Sequence, residues 1–202
     1  MKKCMCLAVF FLMTFSAFGE YEEETLFQGE ITHGGFGGPV VKFTQIRDEL
    51  GVLVGGRGGW IINHTLSLGG GAYGLANEIA GPDTLPYIKP LLNLGYGGFE
   101  IEYLWHSGRL VHSTFSLLIG GGGVGYYEGN DQRDYDRDDH WENWDSFFIT
   151  EPSFQIELNV TAFLRMDVGA SYRFVSGVES YDLTDSDIGG PSLNVTFKFG
   201  RF

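Results

Sequence analysis

The chain has 202 residues, a formal net charge of −13, 31 glycines, six prolines and two cysteines. That length suits one domain or one barrel, and the acidity argues against nucleic acid as a partner, because phosphates need a basic surface. Both cysteines, Cys4 and Cys6, fall within the first 19 residues, so the rest of the chain has no disulfide, no thiol nucleophile and no cysteine metal site.

Lys2 and Lys3 precede an apolar run from Leu7 to Phe18, and Ala17-Phe18-Gly19 places small residues where a signal peptidase prefers them. Residues 1–19 therefore read as a signal peptide cleaved near Gly19-Glu20, leaving 20–202 as one domain. A membrane anchor is the alternative, but the segment is short and flanked by small residues. Neither cysteine ends the apolar core, which argues against a lipoprotein site. Cleavage leaves 11 basic and 26 acidic residues, a net −15, so simple attraction to anionic lipid head groups is not expected either. No later apolar run approaches the roughly 20 residues of a membrane helix.

Alternating patterns predict eight strands. The first spans about Phe36–Gln45, with Val41 and Phe43 on one parity and Lys42 and Thr44 on the other. After a turn at Ile46–Glu49, the second spans Leu50–Ile62, with Val52, Val54, Trp60 and Ile62 opposite Arg57. Asn63-His64-Thr65 turn the chain into a third strand, Leu66–Ala76, followed by a long loop at Asn77–Pro90. A hairpin over Leu91–Gly125 supplies strands four and five around Ser107-Gly108-Arg109. There Ile101, Tyr103 and Trp105 alternate with Glu100 and Glu102, and Val111, Phe115, Leu117 and Ile119 alternate with His112, Thr114 and Ser116. Setting Ile101 opposite Phe115 pairs Phe99 with Leu117 and Trp105 with Val111, and gathers the apolar residues on one face.

Tyr126–Ser146 is the longest and most acidic loop. Strand six spans Phe147–Asn159, with Phe154, Ile156 and Leu158 opposite Glu151, Gln155 and Glu157. After a turn at Val160–Ala162, strand seven sets Leu164, Met166, Val168, Ala170, Tyr172 and Phe174 against Arg165, Asp167, Ser171 and Arg173. A loop at Gly177–Ile188 leads to strand eight, with Leu193, Val195, Phe197 and Phe199 opposite Asn194, Thr196 and Lys198. Turns after strands two, four and six are short, and connections after three, five and seven are long. That asymmetry, with apolar residues outside and charges inside, is the signature of an up-and-down antiparallel transmembrane β-barrel. An even strand count lets strand eight pair with strand one, which lipid requires because an open edge would strand backbone groups.

In this pattern the sequence resembles the small eight-stranded outer-membrane barrels of Gram-negative bacteria over residues 20–202. The run Gly34-Gly35-Phe36-Gly37-Gly38-Pro39-Val40-Val41-Lys42 and the later Gly55–Trp60 resemble a glycine-rich group of such barrels. The resemblance implies a bacterial outer-membrane location and carries no activity with it. Phe202 is similar to the aromatic residue through which the last strand of such barrels meets the barrel-assembly machinery. The alternate places before it hold Gly200 and Lys198, so the apolar set Phe199, Phe197 and Val195 is one step out of phase.

The inward charges are Lys42, Arg57, Arg165, Arg173 and Lys198 against Glu100, Glu102, Glu151, Glu157 and Asp167. Five of each sign suits a closed, ion-paired lumen, since eight strands leave room for little beyond their own side chains. A narrow ion path or a carboxylate active site is the functional alternative. Trp60, Tyr103 and Trp105 fit a lower aromatic girdle, and Tyr172, Phe174 and Tyr126 an upper one. Glycine clusters weaken strands but permit sharp coiling, with Tyr73, Tyr96 and Tyr126 as covers for bare backbone. A phosphate-cradling loop would need a following helix, and none follows.

The acidic loop offers Asp134, Asp136, Asp138, Glu142 and Asp145 at calcium-loop spacings one, three, five, nine and twelve. Asp139 stands where an EF-hand needs glycine, so the loop is a candidate only for loose calcium or magnesium binding, bridging to lipopolysaccharide phosphates; otherwise no cofactor is expected. His106-Ser107 and His112-Ser113 are adjacent pairs that point to opposite faces of a strand, the wrong arrangement for a lipid A deacylase triad. The expectation is a non-catalytic outer-membrane barrel touching membrane lipid and lipopolysaccharide. The alternatives are a lipid A-modifying enzyme, a narrow channel, and a soluble secreted barrel with a small apolar ligand inside.

Overall fold

The computed structural model describes residues 30–81, 90–128, 144–179 and 182–202. Strands β1 (His33–Ile46), β2 (Glu49–Ile62), β3 (Leu66–Leu75), β4 (Pro90–Trp105), β5 (Val111–Glu128), β6 (Asp145–Asn159), β7 (Leu164–Ser176) and β8 (Gly190–Arg201) follow one another, with one helical turn, α1 (Asp185–Ile188), before β8. Each strand pairs antiparallel with its neighbour in sequence and β8 returns to β1, closing the barrel. Contacts divide the chain into Met1–Ile31 and Thr32–Phe202, and the barrel is the second unit.

Period-two alternation decides which side chains face where. On β7, Arg165, Asp167, Ser171 and Arg173 are buried, while Val168, Tyr172 and Phe174 are exposed. β6 and β8 divide the same way, with Glu151, Gln155 and Glu157 inside one strand and Asn194, Thr196 and Lys198 inside the other. Phe99, Ile101, Tyr103, Trp105, Phe115 and Phe154 all face outward and stay about half exposed. Polarity is therefore the reverse of a soluble protein's, with charge within and apolar surface without.

The turns differ from the expected ones in detail. The β1–β2 connection is only Arg47-Asp48, both with positive φ (51° and 62°), as a two-residue hairpin turn of matching twist requires. The β4–β5 turn takes five residues, 106–110, with His106 at φ 59°. The expected hairpin register is therefore corrected by two residues. Ile101 lies opposite Leu117, Phe99 opposite Ile119, and Trp105 opposite Ser113. A shift of two keeps parity, so every face assignment on this hairpin is unchanged.

Glycine serves the small bore. A Cβ on Gly55 would lie 2.0 Å from the Ala72 carbonyl and 2.8 Å from the Tyr73 ring. One on Gly122 would lie 2.5 Å from both the Gly95 carbonyl and the Phe147 ring. Strands coil tightly at these positions and aromatic rings lie against the bare backbone.

Candidate functional site

The lumen has two stories. In the lower one, toward the short turns, Lys198 Nζ is surrounded by carboxylates: Glu157 Oε2 at 2.5 Å, Glu102 Oε1 at 2.8 Å and Asp167 Oδ2 at 2.9 Å. Arg57 reaches Glu100 at 2.6 Å and Glu102 at 3.0 Å, and Arg165 reaches Glu157 at 2.7 Å. Strands β2, β4, β6, β7 and β8 each contribute, so the network ties non-adjacent walls together. The Gln155 amide fits between, donating to Asp167 and accepting from Arg57. His112 joins from β5, with Nε2 3.0 Å from Glu157 and Nδ1 3.2 Å from the Arg109 carbonyl. Its inward parity is the one the sequence pattern gives it, alongside Thr114 and Ser116.

Above this, Lys42 Nζ meets both Glu151 oxygens at 2.8 and 2.9 Å, and lies 3.6 Å from the centre of the Tyr73 ring. The Tyr96 hydroxyl and Ser171 Oγ donate to the same carboxylate. Arg173, expected in an ion pair, forms no salt bridge among the described residues. Its Nε donates to the Ile188 carbonyl and one amino group to Thr44 Oγ1. The β6–β7 register sets Thr150 opposite Phe174 and Ser153 opposite Ser171, so Arg173 lies level with Glu151, but that carboxylate is taken by Lys42, Tyr96 and Ser171.

The upper story is apolar, a feature the sequence reading did not foresee. Ile46, Leu53, Leu92, Leu94, Leu118, Val124, Phe147 and Ile149 point inward from the strands, and Ile79, Leu183 and Ile188 enter from the connections. These three are at most 3% exposed, so the connections stopper the barrel. Arg47 fastens the stopper through the Tyr126 hydroxyl, the Asp182 carboxylate at 3.3 Å and the Asp187 carbonyl. Tyr126 thus turns inward and half-buried, not to the upper girdle; Tyr127 takes the exposed place. Between the two stories lies a cavity of about 20 Å³, which holds about one water molecule.

These geometries limit the chemistry. Glu102, Glu157 and Asp167 bring ligand atoms within 4.8 Å of one another, the one metal-like cluster among the described residues, but the Lys198 ammonium already contacts all three. Ser107 is buried and donates to the His64 carbonyl, while the exposed His106 ring packs against Trp105, so these neighbours share no site. Of the acidic-loop candidates, Asp134, Asp136, Asp138 and Glu142 lie outside the described residues. Asp145 begins β6, where its carboxylate accepts from the Ser146 and Glu179 amides. Phe202 follows the inward parity of Lys198, with its ring stacked on Phe36 and 4.0 Å under the Arg165 guanidinium.

No protein-family model matches the chain, and no curated protein sequence matches it. Among solved structures it is similar to Neisserial surface protein A, with a TM-score of 0.52 and 11% identity over 85% of this chain and 97% of that one. It is also similar to the N-terminal β-barrel domain of Pseudomonas aeruginosa OprF, with a TM-score of 0.51 and 10% identity over 83% and 96%. At such identities the likeness establishes the fold. The chain is an eight-stranded, closed, up-and-down antiparallel β-barrel of the kind found in bacterial outer-membrane proteins.

Proposed function

We propose that the protein resides in a bacterial outer membrane as a non-catalytic barrel with a structural or surface-interaction role. The observation that carries the reading is the inverted polarity. Lys198, Glu157 and Asp167 are at most 1% exposed inside, whereas Phe99, Trp105 and Phe174 are each more than half exposed outside. Water disfavours that arrangement and lipid favours it. The short turns then face the periplasm and the long, acidic connections face the exterior. Membrane lipid and lipopolysaccharide are the surrounding partners, and the last strand is the segment that meets the assembly machinery. Calcium or magnesium bound at 131–145 would bridge that loop to lipopolysaccharide phosphates; calorimetry on the refolded chain checks it, and absence of heat removes it.

A stoppered, ion-paired lumen supports neither a channel nor an active site within it. Cell fractionation with an SDS gel of boiled and unboiled protein tests the reading. Outer-membrane recovery with a heat-dependent mobility shift is expected. Recovery in the soluble periplasm would overturn it. Unchanged lipid A mass on deletion is expected of a non-enzyme, and a changed mass would restore the lipid A-modifying alternative.

A further inference from the structure

His112 lies on β5 with its side chain fully buried, directly opposite Glu157 of β6. Its two ring nitrogens face acceptors. Nδ1 is 3.2 Å from the Arg109 carbonyl, and Nε2 is 3.0 Å from Glu157 Oε1. Carbonyls and carboxylates only accept, so each nitrogen needs a proton to meet its neighbour favourably. A neutral ring protonated at Nδ1 would turn the bare Nε2 lone pair on a buried carboxylate oxygen. The other neutral tautomer would do the same to the Arg109 carbonyl. Charge points the same way. The lower network sets Arg57, Arg165 and Lys198 against Glu100, Glu102, Glu157 and Asp167, one cation short among the described residues. Uncompensated charge is costly at such burial. The competing place for a balancing proton is a carboxyl, since Glu102 Oε2 and Asp167 Oδ1 carry no hydrogen bond among the described residues. A proton there would leave the His112 ring with a lone pair against an acceptor.

We infer that His112 is held as an imidazolium, the fourth cation of the lower network, and that its contact with Glu157 is a pH-sensitive clasp between β5 and β6 at the short-turn end. Glu157 is also contacted by Arg165 of β7 and Lys198 of β8, and Lys198 joins it to Asp167 of β7 and Glu102 of β4. Arg57 of β2 and Glu100 of β4 complete the set. Loss of a ring proton replaces attraction with repulsion at one of the two nitrogens. The folded chain holds the protonated ring, so the stability it contributes is present in acid and lost as pH rises. The inference does not use the membrane reading, so fractionation and the following experiment fail separately.

The test is nitrogen NMR of the His112 imidazole in the refolded, nitrogen-15-labelled full chain in neutral maltoside micelles at about pH 7, assigned through its own backbone amide. Both ring nitrogens are expected to resonate as protonated. One nitrogen at the shift of a bare lone pair would overturn the inference and move the balancing proton to a carboxyl. Urea unfolding of the unaltered chain and of His112→Gln supplies the second reading. The advantage of the unaltered chain, as a ratio of unfolding constants, is expected to shrink roughly tenfold between about pH 5.5 and about pH 8.5. An advantage that stays constant or grows with pH contradicts the clasp. Should His112→Gln not refold, the nitrogen shifts of the unaltered chain decide alone.

Discussion

The two stories of the lumen are filled by opposite means. Below, a lysine and two arginines are held among four carboxylates with hardly any exposure. Above, aliphatic and aromatic side chains from the strands meet Ile79, Leu183 and Ile188 from the connections. The charged story is specified by geometry: a buried ion is stable only with its partners in place, and losing one leaves the others uncompensated. The apolar story is specified by volume, and it tolerates substitution in proportion to the space left behind. The barrel is therefore most fragile where it is most polar. Its upper end, where Ile79, Leu183 and Ile188 enter from the connections, is the part suited to opening locally.

That contrast is broken most severely at Lys198. Lys198→Met leaves Glu102, Glu157 and Asp167 together without their shared cation, and we expect a loss of about 3–5 kcal/mol, read from urea unfolding of the refolded barrel in micelles. A loss below that of the apolar variants would mean the network is dispensable. In the upper story, Leu53→Ala, at a side chain with no exposure, should cost about 2–4 kcal/mol by the same assay.

Smaller effects sharpen the comparison. Ile188→Ala should destabilise the barrel by about 1–3 kcal/mol and raise hydrogen exchange in 182–189 before it does so in the strands. Exchange rising uniformly would show that the stopper and the barrel open as one unit. Arg47→Ala loses a part-buried pair with Asp182 at the barrel's end, and global stability should fall by no more than about 1 kcal/mol. Limited proteolysis within 182–189 should nevertheless quicken. None of these variants is expected to conduct in a planar bilayer, because each leaves the other story in place. Single-channel steps from any of them would contradict the two-stop account.

Strand parity was legible in the sequence wherever polar and apolar residues alternate, as on β7, where every assigned residue from Leu164 to Phe174 faces as read. Legibility failed where alternation disappears. In Leu117-Leu118-Ile119 and Phe147-Phe148-Ile149 both parities are apolar, so the inward members, Leu118, Phe147 and Ile149, were hidden and the upper story with them. Glycine hides parity too: Gly120 to Gly123 and Gly125 give no signal around Val124, and the count that would have sent Tyr126 inward was lost. Register depends on the turn, and the five-residue β4–β5 turn is held by partners distant in sequence. The Asn159 amide donates to the Ser107 and Arg109 carbonyls, and Ser107 Oγ to that of His64. Parity gives the inward charges but not their partners: Arg173 lies level with Glu151 yet bonds the Ile188 carbonyl and Thr44, while Lys42 takes Glu151.

The central claim is the direction in which the barrel's faces point, and spin labels at Leu117 and Ser116 in lipid vesicles test it most directly. Leu117 faces outward, whereas Ser116 faces inward and bonds Ser153 at 2.6 Å. The label at Leu117 should collide with oxygen dissolved in the bilayer and be shielded from a water-soluble nickel reagent. The label at Ser116 should be shielded from both. A Leu117 label shielded from oxygen, with a Ser116 label open to nickel, would mean that the apolar face lines an interior and the charged face meets water, contradicting the account.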